Sequence, residues 1–232
     1  MILAVMQPYF LPYIGYFQLL HAVDKFVLYD DVNFINKGWI NRNNLLNGSA
    51  AQLFTIPLKG ASQNRLIRDI EITDDTAWKK KLLKTIEQAY RKAPYFDGVF
   101  TLLDELINTP ERNIGGLATS SLKSVAAYLG INTPIVDSSA IYDNNQLKAQ
   151  ERILDICRKE HADHYINPIG GMEIYSRELF ETSGVKLNFI KSKSIIYPQF
   201  KNEFVPHLSI VDVLMFNSSA EVNNMLDQYE LL

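Results

Sequence analysis

The 232-residue chain has one cysteine, Cys157, and two tryptophans, Trp39 and Trp78. A lone thiol excludes an internal disulfide and any multi-cysteine metal site. No apolar run approaches the ~20 residues that a membrane-spanning helix needs. Neither sign of charge dominates: 23 Lys and Arg stand against 26 Asp and Glu, for a net charge of −3. That balance leaves no footprint for non-specific nucleic-acid binding, so no nucleic-acid partner is expected. Repeats, low-complexity tracts and linkers are also missing, and no basic leader precedes the first apolar run. The expectation is a soluble, cytoplasmic protein without a signal peptide and without membrane insertion.

The composition is otherwise that of an ordinary globular protein, 47% apolar and 21% charged, long enough to bury a sizeable core. Tyrosine is abundant: twelve residues, many beside prolines or polar loops. A tyrosine at a core edge packs its ring and wets its hydroxyl, which is the plainer reading of any one of them.

The chain is organised around its opening. Ile2–Met6 is an apolar run that predicts a buried strand. Pro8 and Pro12 bar helix and central strand, so Gln7–Tyr13 is expected to be a stiff extended loop. A helix opens at Gly15, and Phe26–Tyr29 is a second apolar run ending on Asp30 and Asp31. A connection of this length suits a parallel crossover. Ligands of such units bind outside the carboxyl ends of the strands, where Gln7, Tyr9, Tyr13, Asp30 and Asp31 would sit.

Asn47-Gly48 is a turn signal between Trp39–Leu46 and Gln52–Pro57, which read as an inserted hairpin. Its approach is rich in amides, with Asn41, Arg42 and Asn43 beside Trp39. Ile67–Ile72 reads as a short strand, and three successive helices follow: Trp78–Arg91, Pro94–Ile107 and Leu117–Leu129. Between Lys59 and Lys92 there are nine Lys or Arg against five Asp or Glu. The plainer reading of that excess is a solvated helix face. Thr133–Asp137, Ala162–Asn167 and Val185–Ile190 are three further strands. Leu147–Lys159 is an amphipathic helix, Glu173–Thr182 and Ile210–Phe216 are shorter ones, and Ala220–Tyr229 closes the chain as a helix. The predicted fold is α/β: a doubly wound, parallel, five-stranded, Rossmann-like sheet. It forms a single domain over 1–232, with a hairpin and helical lobe inserted at about 33–130.

These residues resemble one family, the WbqC-like proteins of bacteria. The matching pieces are Gln7-Pro-x-Tyr9-Phe10-x-Pro12-x-x-Gly15-Tyr16-Phe17, Tyr29-Asp-Asp-Val-x-Phe34 and Gly38-Trp-x-Asn-Arg-Asn43. They continue with Ala93-Pro-Tyr-Phe96, Lys148-x-x-x-Arg152-Ile-Leu-x-Ile-Cys157, Tyr197-Pro-Gln199 and Phe204-x-Pro-x-Leu-Ser209-Ile-x-Asp212. The resemblance spans nearly the whole chain and implies an association with bacterial surface-polysaccharide gene clusters. It brings no established reaction. The opening also resembles that of HIGH-motif nucleotidylyltransferases, whose histidines and helix N-terminus hold a nucleotide's phosphates. Here Tyr13 and Tyr16 stand where those histidines would be, and a tyrosine is uncharged near pH 7. The frame therefore transfers more readily than the reaction.

The candidate catalytic residues are His207, Asp212 and Asp30. His207 is the best general base, in a loop with Asp212 near. Asp30 follows Met6 at roughly the ~20-residue spacing at which an acidic residue meets a ribose in dinucleotide folds. The substrate-binding candidates are Gln7, Tyr9, Tyr13, Tyr16, Asp31, Trp39, Asn41, Arg42, Asn43, Lys59, Lys148, Arg152, Tyr197 and Gln199. Arg42, Lys59 and Lys148 would neutralise phosphates, and the spacing of Lys148 and Arg152 predicts a shared face and a shared fate. Cys157 falls on an apolar helix face and reads as an inert core thiol. His161 and His164 have only Asp163 as a third ligand, so no metal is expected; the residues name no cofactor. Two functions stay open. One is an enzyme, a transferase acting on a nucleotide-linked or otherwise activated small molecule of glycan biosynthesis. The other is a non-catalytic binding or assembly factor of such a pathway. Oligomerisation is left open.

Overall fold

A computed structural model describes residues 1–201 and 203–232. In chain order its elements are β1 (Ile2–Met6), α1 (Ile14–His21), β2 (Lys25–Leu28), β3 (Arg42–Asn47), β4 (Ala50–Thr55), β5 (Leu58–Lys59), β6 (Glu71–Ile72), α2 (Ala77–Tyr90), α3 (Phe96–Ile107) and α4 (Ile114–Leu129). Then follow β7 (Ile135–Val136), α5 (Ala149–Lys159), β8 (His164–Pro168), α6 (Arg177–Thr182), β9 (Lys186–Ser192), α7 (Ile210–Phe216), α8 (Ser219–Leu226) and β10 (Tyr229–Leu231).

The fold is mixed α/β around a mostly parallel sheet, ordered β10-β9-β8-β1-β2-β7. β1 is central, as its apolar run requires, and pairs in parallel with both β2 and β8. The sheet has six strands, not the five expected. Tyr229, read by pattern as the end of the last helix, instead begins a strand with Glu230 and Leu231 that pairs antiparallel with β9. α8 stops at Leu226, and the chain turns through Asp227 and Gln228 to cover the exposed edge of β9. An unpaired sheet edge is costly, and no local periodicity in three residues could announce its cover. Glu173–Thr182 also divides, into a 3₁₀ turn over Ile169–Glu173 and the shorter α6.

Alternation along β1 sorts the layers. Leu3 and Val5 pack with α5, α6 and their neighbours on one face. Ala4 faces a larger core shared with α1, α7, α8 and the inserted hairpin and helices. The hairpin β3–β4 turns through Gly48 and Ser49, one residue later than the Asn47-Gly48 signal. Gly48 sits at φ +61°, as the first central position of a type II′ turn requires.

The opening loop is the junction of these parts. Leu11 is buried with φ +45°, a conformation that costs an L-residue roughly 1 kcal/mol or more. Three elements hold it there. Its N–H donates to Ser121 Oγ of α4 (3.2 Å), and its carbonyl accepts from Asn43 Nδ2 (2.8 Å) and from the α7 cap Ser209 Oγ (2.7 Å). Phe10 N–H donates to the Ile40 carbonyl, and Ile210 N–H to that of Pro12.

Cys157 lies on the buried face of α5 at 0% exposure, and burial pushes its thiol up to about 12. The native protein should therefore resist a thiol reagent at pH 7 on the hour scale and react at once in denaturant. Cys157→Ala should lower stability by about 1 kcal/mol through the small cavity it leaves. Rapid labelling of the folded chain would refute both statements.

Candidate functional site

A cavity of about 310 Å³ opens between the start of α1, the segment after β9, and the Phe204–Leu208 stretch before α7. Tyr13, Ser192, Lys193, Tyr197 and His207 line it, with Ile14, Ile195 and Leu208 among its apolar walls. Because β1 and β9 run the same way through the sheet, Tyr13 and Ser192 both lie at strand carboxyl ends. This is the edge at which parallel sheets bind ligands. His207 is exposed at φ +59° in the loop before α7. Lys193 forms no ion pair among the described residues, so the cavity has a cation, an imidazole, the Tyr13 ring and apolar walls, while Ser192 Oγ donates to Gln18 Oε1.

The structure brings Tyr13, Tyr197 and His207 together here. It distributes the remaining candidates among other contacts. Asp212, proposed as catalytic, is enclosed at 0% exposure. Its carboxylate accepts hydrogen bonds from Tyr90 Oη (3.0 Å), Tyr197 Oη (2.7 Å) and Gln199 Nε2 (2.6 Å), all within the protein. Burial raises its carboxyl above the ordinary range. Gln199 is completed by the Val205 backbone, donating to its carbonyl and accepting from its N–H. Asp212 and Gln199 are thus a buried bracket that ties Tyr197 and Val205 to α7 and α2, out of reach of a substrate.

Arg42 folds back on its own surface loop. Its Nε donates to the Gly38 carbonyl at 3.0 Å, its Nη2 donates to that of Lys37, and the guanidinium lies 5.7 Å over the Trp39 ring. Asn41 donates to the Ile56 carbonyl and Asn43 to that of Leu11, so the amide cluster fastens the hairpin to the opening loop. Tyr16 is buried beside Tyr9 and donates to the Gln7 carbonyl at 2.9 Å. Lys59 pairs with Asp74 (2.5 Å) and Glu71 (3.6 Å) in the inserted lobe.

Lys148 and Arg152 do not share a fate. α5 begins at Ala149 with Lys148 as an exposed, non-helical cap residue, so the four-residue spacing does not stack their side chains. Arg152, 3% exposed, is buried under the strand ends. Its Nη2 meets Asp31 Oδ2 at 2.5 Å, its Nε donates to Asn144 Oδ1 at 2.9 Å, and its guanidinium lies 4.8 Å over the Tyr29 ring. Ser139 donates to the other Asp31 oxygen. Next to this pair, Asp30 accepts from Ser138 Oγ at 2.7 Å, and burial raises its carboxyl. Sequence reasoning passed over Tyr90 and Asn144, which sit within otherwise ordinary helical and loop patterns. It also did not single out Lys193, although the polar alternation Lys191-Ser-Lys-Ser after an apolar strand marked its loop. Among the described residues no group of three or more His, Cys, Asp or Glu is placed to hold a metal ion, and no helix is long and apolar enough to cross a membrane.

A mostly parallel sheet, helices on both faces and a small-molecule-sized cavity at the carboxyl edge define an α/β protein with a cavity among its strand-end loops. The chain belongs to the WbqC-like protein family, which matches residues 7–224. It is 27% identical over 227 residues to Uncharacterized protein Rv1507c of Mycobacterium tuberculosis, with 96% of each chain covered. No solved structure matches it significantly.

Proposed function

We propose that the protein is an enzyme of bacterial surface-glycan or related small-molecule biosynthesis, cytoplasmic, acting by group transfer on a nucleotide-linked or otherwise activated substrate. The observation that carries this reading is the carboxyl-edge cavity, in which His207 and Lys193 lie beside Tyr13 and apolar walls. The order β9-β8-β1-β2-β7 follows the doubly wound pattern, with the strand–loop–helix opening at its centre. That supports a Rossmann-like frame over 1–232, with the insertion at about 33–130. In this site Lys193 faces the anionic leaving group, and Tyr13 orients a hydroxyl of the substrate from the start of α1. The acceptor's oxygen or nitrogen forms the new bond as the bond to the leaving group breaks with its electron pair. His207 takes the proton that the nucleophile sheds.

Thermal-shift screening against nucleotides and UDP-, GDP- and dTDP-linked sugars, followed by mass analysis of products, tests the proposal. A stabilising compound should lose its effect in Lys193→Ala. His207→Ala should keep the shift and lower turnover about 10²-fold or more, the usual size of a general-base contribution. A second reading, a binding or assembly factor, is favoured by one observation: Asp212, Asp31 and Arg152 are all consumed by internal bonds. It predicts the shift with no product from any compound. Absence of a shift across the whole panel would sink both readings.

A further inference from the structure

A second, roomier cavity lies elsewhere, on the inserted lobe. About 570 Å³ opens between the exposed face of α2, the β3–β4 turn and the Phe200 ring. Lys84, Arg91 and Lys92 line it against the single carboxylate of Glu87, together with the amides of Asn47 and Gln88. This cationic excess stands out on a chain whose net charge is −3. Glu87, 3.5 Å from Arg91, offsets one of the three positive charges and leaves an excess of two. Lys84 and Lys92 carry no ion pair among the described residues. Lys84, Gln88 and Arg91 follow one another at helical spacing, so the stripe is a property of one helix face.

A solvated lysine stripe has no need of an aromatic ring. Here Phe200 supplies one, 40% exposed and at φ +54°. Its ring meets Phe216 edge to face at 4.7 Å, and Phe216 packs in turn against Tyr90 and Tyr197. Phe200 is thereby held at the cavity wall with part of its ring exposed. Fixed rings beside cations are how proteins hold a base next to its phosphates, since every base offers a flat π-face. Lys84 and Arg91 lie two helical turns apart, ~10 Å along the axis, with Lys92 just past the helix end, which asks for more than one phosphate. The β3–β4 turn and Phe200 close the cleft on two sides. Its volume lies in the usual range for small-molecule sites.

We propose that this cavity binds a nucleoside diphosphate, with the phosphates on Lys84, Arg91 and Lys92 and the base on Phe200. The site is separate from the carboxyl-edge cavity and stands whether or not that cavity is catalytic. It gives the positive run of the inserted lobe a ligand, where a solvated face would have none.

Calorimetric titration of the full chain with ADP, UDP and inorganic pyrophosphate, at low and high salt, tests it. ADP or UDP should bind, more weakly as salt rises, and at least tenfold more weakly to the double variant Lys84→Glu with Lys92→Glu. Phe200→Leu keeps apolar packing on Phe216 and removes the ring. It should weaken ADP or UDP at least fivefold while leaving pyrophosphate within twofold. Unchanged nucleotide binding in the double variant overturns the proposal. So does a polyphosphate that binds tightly and equally to wild type and Phe200→Leu while ADP and UDP do not bind, because the stripe is then a general polyanion surface. Loss of nucleotide binding in Lys193→Ala, with the double variant unaffected, assigns the nucleotide to the carboxyl-edge cavity. That result overturns this inference and leaves the proposed function standing.

Discussion

Arg152→Ala should destabilise the protein by about 3–5 kcal/mol, the usual cost of breaking a buried ion pair from one side. Arg152 and Asp31 are both almost fully buried, and the carboxylate has the guanidinium on one oxygen and Ser139 on the other. Asn144 relays the network to Asp155, accepting from Arg152 Nε and donating to Asp155 Oδ2 at 2.8 Å. Truncation leaves a carboxylate in a dry setting without its cation, and removes the guanidinium from the Tyr29 ring. Arg152→Met combined with Asp31→Leu should recover most of the loss, because apolar groups can replace both charges together. Urea unfolding of the three proteins decides the matter. A cost for Arg152→Ala below about 1 kcal/mol would class the pair with exposed salt bridges and sink the argument.

Asp212→Ala should cost about 3 kcal/mol or more. It strands two tyrosine hydroxyls and an amide in the interior, each worth about 1–3 kcal/mol when left without an acceptor. Tyr90 is also bound to the hairpin, accepting from Leu46 N–H at 2.8 Å, so the loss should spread from α7 through α2 to β3. The pH dependence has a definite sign. Burial raises the folded-state carboxyl of Asp212 above its unfolded value of about 4. The folded chain holds that proton more tightly, so the associated stability is complete below the unfolded value and lost as pH rises through the raised one. Asn cannot ionise. The stability of wild type relative to Asp212→Asn should therefore fall as pH rises from about 4, read by urea unfolding at stepped pH. A difference that grows with pH would contradict the assignment.

The parallel strands were legible because each is a short apolar run bounded by polar turn residues, and a run buried on both faces needs no partner to announce itself. Cys157 was legible for a similar reason, since helical periodicity alone places it inward. The cavity was legible only in outline. Strand-end loops converge on one edge in any parallel sheet, which is why Tyr13, Tyr197 and His207 meet there. Which polar side chains turn into that space and which turn back on the chain is not encoded locally. Arg42, Asn41, Asn43, Tyr16, Asp212 and Gln199 look like ligand groups in a sequence because charged and amide side chains recognise backbone carbonyls and substrates with the same donors and acceptors. Only the three-dimensional neighbours decide. The left-handed Leu11 has to be held by α4, β3 and α7 at once, and that requirement consumes an asparagine and two serines more than thirty residues away. β10 belongs to the same class: three residues became a strand because β9 had an open edge. The sequence by itself determined the parallel strands, the main helices and the edge where they converge, through periodicity and burial. Tertiary structure alone decided which polar groups hold the fold and which remain free for a ligand, because satisfying buried donors and acceptors is a long-range constraint.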